Sequence, residues 1–209
     1  MRRWATGFMF GLAMIAAMYA LLWAEHYCSF GRGTVSAKRA LDIAVTFVTC
    51  LFVGVFEEGV FRGYAQFKLA RKLGFWPAAF TISLAFGLTH LIHPAYTMLG
   101  VGGAAFFGLL FTYCLWRTGD LWLAIGIHAA VDFAELFIFA SRSTSVRLVT
   151  TDVHGPAWLT GGTGGPEASA AGYAVIALAF VIVWASTRSF GNQHASQLQL
   201  IARQRGAES

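Results

Sequence analysis

From Leu73 to Trp116 the chain runs 44 residues without an Asp, Glu, Lys or Arg. A helix of about 20 apolar residues, rising ~1.5 Å each, crosses the hydrocarbon layer of a bilayer. This run is therefore long enough for two crossings, and His93-Pro94 breaks it near the middle. Similar charge-free runs cover Trp4–Ala24 (21 residues), Ile43–Phe56 (14) and Ala168–Thr187 (20). Leu121–Ala140 is apolar except for Asp132 and Glu135. The composition agrees: 57% of the 209 residues are hydrophobic and 12% charged, against about 45–50% and about 25% in soluble domains. Disorder is excluded by the hydrophobicity. A disulfide-stapled secreted module is excluded by three cysteines, Cys28, Cys50 and Cys114, without motif spacing.

The expected fold class is all-α: a polytopic transmembrane helix bundle of about six spans, near 4–24, 40–61, 75–92, 97–116, 121–141 and 169–187. Backbone polar groups in lipid must be satisfied internally, and no run alternates with period two, so helices are expected rather than a barrel. The apolar run after Met1-Arg2-Arg3 exceeds a signal-peptide core, and no small-x-small site precedes Glu25. It is read as a retained span. With the N-terminus inside, the inner segments hold nine Lys and Arg and the outer segments five. That bias favours cytoplasmic N- and C-termini in a multi-pass protein of the bacterial inner membrane. The net charge of +5 then reflects a membrane surface and requires no nucleic acid. Residues 1–209 are expected to form one membrane domain, with an extracytoplasmic loop at 141–168 and a polar cytoplasmic tail at 188–209. Gly161–Pro166 reads as a flexible, exposed connector. Gly7/Gly11 and Gly100/Ala104/Gly108 repeat small residues every four positions and predict close-packed helix faces.

The informative residues are the ionisable ones inside the spans: Glu57, Glu58, Arg62, His90, His128, Asp132 and Glu135. A membrane helix tolerates such groups where they face a cavity or a partner. Glu58 and Arg62 are four apart and can pair on one helix face. Glu57 is turned about 100° away. His128 and Asp132 repeat the four-residue step, with Glu135 on the same stripe. The second span should continue as helix through Arg71 and turn at Leu73-Gly74. Glu57 and His90 are equidistant from that turn, so a helix hairpin sets them level, about 25 Å from it. His128 is expected at a similar depth, around a polar cavity opening toward the cytosol.

Three motifs fall in order on successive apolar segments. Glu57-Glu58-Gly59-Val60-Phe61-Arg62 reads E-E-x-x-x-R, Phe86–His90 reads F-x-x-x-H, and His128–Asp132 reads H-x-x-x-D. Over about 46–140 the chain resembles the CPBP intramembrane protease family, which includes the Ras-converting CAAX prenyl endopeptidase and the bacterial Abi proteins. Asp132 departs from the Asn of the eukaryotic CAAX enzymes. The resemblance implies an intramembrane endopeptidase acting on a membrane-associated peptide or protein within the lipid bilayer. In it Glu57 would activate a water and His90 would help hold it. His128 and Asp132 would face the scissile carbonyl, and Glu58 and Arg62 would support the site. Relatives are often labelled metalloproteases, yet a metal-free, glutamate-dependent route has been argued for the CAAX enzyme. Glu57, His90, His128 and Asp132 are chemically competent ligands for a divalent metal such as zinc, and both alternatives stay open.

Each signal also has a purely structural reading. Glu58–Arg62 could be a buried ion pair, His90 a packing histidine bonded to a carbonyl, and His128–Asp132 an interhelical clamp. His93 reads as an interface residue at a helix end. Intramembrane Glu, His and Asp also build proton relays, so a proton-coupled transporter is a rival function, although the chain is short and without an internal repeat. A catalytically silent immunity or scaffold protein is another.

Overall fold

The computed structural model describes residues 1–33, 40–92, 97–139 and 147–188; His93 and the 189–209 part of the tail lie outside them. Helix α1 (Arg2–Ala24) leads to a short strand, β1 (Cys28–Arg32). Helix α2 (Ala40–Glu58) continues through a π-helical turn, Gly59–Ala65, into α3 (Gln66–Leu73). These three form one helical stretch of 34 residues. It ends at Gly74, whose φ of +85° suits a residue without a Cβ, at the predicted turn. Helix α4 (Phe75–Thr89) closes in a 3-10 turn, His90–Ile92. Helix α5 (Met98–Thr118) is capped by the Thr97 hydroxyl, which accepts from the Gly100 N–H at 3.2 Å. Helix α6 (Trp122–Phe133) ends in a π-helical turn, Ala134–Ile138. Strand β2 (Val149–Val153) pairs antiparallel with β1, Cys28 opposite Val153 and Arg32 opposite Val149. A single turn, α7 (Ala157–Thr160), precedes α8 (Ala170–Ser186).

Arg2–Ala24, Ala40–Leu73, Phe75–Ile92 and Met98–Thr118 are long and apolar enough to cross a membrane. The fifth and sixth segments are shorter than the spans read from sequence. The fifth ends at Ile138 rather than 141 within the described residues, and α8 has 17 residues. The exposed faces are apolar: Leu41, Val45, Val48 and Phe52 on α2, and Phe80, Leu84 and Leu88 on α4. Such faces are stable against hydrocarbon and costly against water. The all-α membrane bundle is thus the observed fold.

Helix α6 is the central element, and every residue from Leu123 to Val131 is buried. Helix α1 crosses it by backbone approach. A Cβ on Gly7 would lie 2.3 Å from the Leu123 carbonyl oxygen, and one on Gly126 would lie 2.3 Å from that of Trp4. Gly7 and Gly11 therefore pack as the small-residue repeat predicts. The strand pair places the segments after α1 and α6 at one end of the bundle, whereas the Gly74 turn packs Phe75 and Trp76 on Trp116 near the other.

The connector at 161–166 differs from expectation. Gly164, Pro166, Glu167 and Ala168 are buried. The cause is glycine on both flanking helices. Gly103 of α5 would carry a Cβ 2.4 Å from the Glu167 carbonyl oxygen, and Gly172 of α8 one 2.3 Å from that of Pro166. The segment nests into the bundle because those helices present bare backbone.

Candidate active site

Glu58 is fully buried, and its Oε1 accepts two bonds. Arg62 Nη1 donates to it at 2.8 Å from the next turn of the same helix. His128 Nδ1, from α6, lies 2.9 Å away. The four-residue step correctly anticipates the first bond. The second depends on α2 crossing α6 and has no local sequence signal. The crossing is close because Gly54 of α2 sits over the α6 backbone, where a Cβ would meet the Ile125 carbonyl oxygen at 3.2 Å.

The Arg62 guanidinium is also fully buried. Its carbon lies 4.4 Å from the Phe86 ring centroid and 5.3 Å from that of Phe111. The two rings present their negative faces to the cation, which offsets part of its desolvation. Gly108 makes the room, since a Cβ there would be 2.6 Å from Arg62 Nη2. The small-residue repeat at 100–108 thus houses a charge as well as packing helices. Nearby, the Thr112 hydroxyl donates to Gln66 Oε1 at 2.8 Å, both residues fully buried; this polar pair was invisible in sequence.

With Nδ1 engaged by Glu58, the His128 ring stacks on Phe111 at 5.1 Å between centroids and 10° between planes. Its Nε2 then faces two carboxylates. Glu57 Oε2 and Asp132 Oδ2 each lie 3.7 Å from it. That is too long for a direct hydrogen bond and suits a bridging water. Glu57 and Asp132 keep partial exposure, 32% and 23% of the side chain, while His128 keeps 7%. The sequence pairs Glu57 with His90; the structure brings Glu57 to His128.

His90 packs edge-on against Phe86, at 5.0 Å between centroids, and Phe86 also meets His128 at 5.8 Å. His90 Nδ1 lies 2.9 Å from the Phe86 carbonyl oxygen. A carbonyl only accepts, so Nδ1 carries the proton and the neutral ring has its acceptor at Nε2. His90, His128 and Asp132 line one cavity of about 40 Å3 together with Glu135 and Glu167, large enough for a water. Glu135 and Glu167 are both buried. Glu135 was foreseen on the His128 stripe. Glu167 follows the Gly161–Pro166 connector, inside the 141–168 stretch expected as an extracytoplasmic loop, so the sequence does not single it out.

The sequence predicts a cavity mouth toward the basic α3–α4 turn. The lining includes His90, at the far end of α4 from that turn, and Glu167, just before α8. The cavity therefore extends from mid-bundle toward the opposite end, because the 166–168 segment folds inward.

The donor set bears on the metal alternative. His90 and His128 each engage a protein acceptor through Nδ1, which leaves Nε2 of each as the nitrogen able to ligate. Among the described residues no three His, Cys, Asp or Glu side chains converge as ligands. With no such cluster among the described residues, no chemical step is derived through a metal.

Residues 39–134 match the family model described as Rce1-like: Type II CAAX prenyl endopeptidase Rce1-like. This segment belongs to that CAAX protease family. The match covers just under half of the chain and spans Glu57, Glu58, Arg62, His90, His128 and Asp132, while Glu135 and Glu167 lie outside it. No curated protein and no solved structure matches the chain. The family match over 39–134 and the apolar helices together support an integral membrane protein.

Proposed function

We propose that the protein is an intramembrane endopeptidase in which Glu57 activates a water held against His128. The observation that carries this reading is the pair of 3.7 Å gaps from His128 Nε2 to Glu57 and Asp132. A water there has an acceptor carboxylate on each side and a ring nitrogen between. Glu57 takes the water proton as the oxygen attacks the scissile carbonyl carbon. It then passes that proton to the departing amine, so its carboxylate is regenerated. His128, in its doubly protonated form, donates from Nε2 to the developing oxyanion. Glu58 fixes that ring through Nδ1, and Arg62 balances Glu58. Asp132 accepts the water's other proton and so orients it, and His90 lines the adjoining cavity. The substrate is a membrane-associated peptide or protein, since the site is walled by spanning helices. The termini are cytoplasmic, on the nine-to-five basic bias, which sets the cavity in the extracytoplasmic half.

The structural alternatives share part of this geometry. The Glu58–Arg62 pair and the His90–Phe86 bond stabilise a bundle whether or not it catalyses. What they leave unexplained is Glu57, partly exposed and aimed at a ring nitrogen without a direct bond. Purified protein in vesicles, supplied with a membrane-anchored reporter peptide, separates the readings. Cleavage without ion flux supports the protease; proton-driven flux without cleavage supports the transporter.

A further inference from the structure

The bundle carries a second and larger cavity, of about 510 Å3, at the end opposite the 166–168 segment. It lies where α1 and α6 begin and where α5 and α8 end, in the crevice between α1 and α8. Three arginines line it: Arg2 and Arg3 from the first turn of α1, and Arg117 from the last turn of α5. Below them the wall is apolar, formed by Phe10, Leu123, Ile182 and Val183.

The charges are not balanced within the chain's described residues. Arg3 donates to Asp120 and, at 2.9 Å, to the Thr118 carbonyl oxygen. Arg117 is 8% exposed, yet its acceptors are neutral: the Thr187 hydroxyl at 2.9 Å and the Thr187 carbonyl at 3.0 Å. Among the described residues no carboxylate lies within ion-pair distance of Arg117 or Arg2. A cation withdrawn from water is stable when an anion meets it. Helix α1 adds to the demand, because its first N–H groups point to this end and Met1 offers no side-chain cap.

We infer that this crevice binds one anionic phospholipid, with Arg2, Arg3 and Arg117 around the phosphate and an acyl chain along Phe10, Leu123 and Ile182. Depth selects the lipid: helix ends lie where headgroups lie, and basic pockets between spanning helices recognise acidic headgroups. The apolar wall selects it over a soluble phosphate, which has no use for Val183 or Ile182; the latter is 40% exposed and opens the crevice sideways to hydrocarbon. The volume falls in the range of about 300–1,000 Å3 for ligand sites. The site is independent of the proposed catalytic one, and its test does not require activity.

Native mass spectrometry of the full chain in mild detergent decides it, with phosphatidylglycerol, phosphatidylcholine and glycerol 3-phosphate offered at equal concentration. One phosphatidylglycerol should be retained, against little phosphatidylcholine and no glycerol 3-phosphate. Arg2→Gln, at an exposed position, should weaken retention roughly fivefold, and Arg2→Gln/Arg117→Gln roughly 25-fold. Ile182→Trp should lower it by filling the apolar wall. If the Arg117 variant does not fold, Arg2→Gln and Ile182→Trp decide alone. Equal retention of both lipids, glycerol 3-phosphate displacing the lipid at equal concentration, or phosphatidylglycerol retention unchanged by Arg2→Gln would overturn the inference.

Discussion

Replacing Glu58 by leucine should destabilise the bundle strongly, and replacing Arg62 as well should restore it. Both side chains are fully buried, and Glu58 Oε1 is the acceptor for Arg62 and for His128. Removing one partner of a buried pair costs about 3–5 kcal/mol, because it leaves an uncompensated charge. The lost bond to His128 overlaps with that penalty and does not add in full. The faces of Phe86 and Phe111 still attract the cation, by about 0.5–2 kcal/mol, which points to the lower half of the range. At about 2–4 °C per kcal/mol for a chain of this size, Glu58→Leu should lower Tm by roughly 10 °C. Glu58→Leu/Arg62→Leu has no orphaned charge and should recover most of that loss. It should remain inactive, since His128 has lost its anchor. The assay is built into the chain: Cys28, Cys50 and Cys114 are free and buried, so a thiol-reactive dye reports unfolding. Burial, with Asp152 beside it, pushes the Cys28 thiol up to about 11, which keeps it unreactive at neutral pH in the folded state. A Glu58→Leu protein as stable as wild type would refute the reasoning, as would a double variant no better than the single one.

Gly108→Ala sets a Cβ against Arg62 and Ser83 and should cost about 1–3 kcal/mol, read as a lower Tm with the same dye. Asp132→Asn keeps the shape and one acceptor oxygen, so it should lower kcat by less than Glu57→Gln does; an equal or larger loss would give Asp132 the base role instead. His154→Cys, on the exposed segment after β2, should be labelled by an impermeant maleimide from outside intact cells, and labelling only after permeabilisation would reverse the topology.

Much of this was legible because membrane physics is strict. Charge-free runs located the helices, and the turn fell at Gly74 where a span gave way to Phe75-Trp76-Pro77. The i,i+4 step from Glu58 to Arg62 survived the π-helical turn that contains Arg62. What failed was long-range. Glu58 reaching His128, and Gln66 reaching Thr112, depend on which helices cross and at what height, and helical periodicity carries neither. The hairpin estimate sets Glu57 level with His90, whereas the contact the structure shows for Glu57 is to His128 on α6, which a two-helix picture leaves out. Gly161–Pro166 looked like a linker by composition. Its glycines instead let the chain turn, with φ of +83° at Gly161 and +97° at Gly165, and carry Glu167 into the cavity. Gly103 and Gly172, which receive it, carry no local pattern that marks them as a seat for another segment.

The central claim is that Glu57 is the base, and Glu57→Gln tests it most directly, because the amide keeps the shape and cannot take a proton. Wild-type and variant protein should be compared in vesicles on a membrane-anchored reporter peptide, with kcat and thermal unfolding measured on the same preparations. The account predicts a loss of at least about 100-fold in kcat, the lower range for a general base, with Tm unchanged. Cleavage by Glu57→Gln at near the wild-type rate would contradict it.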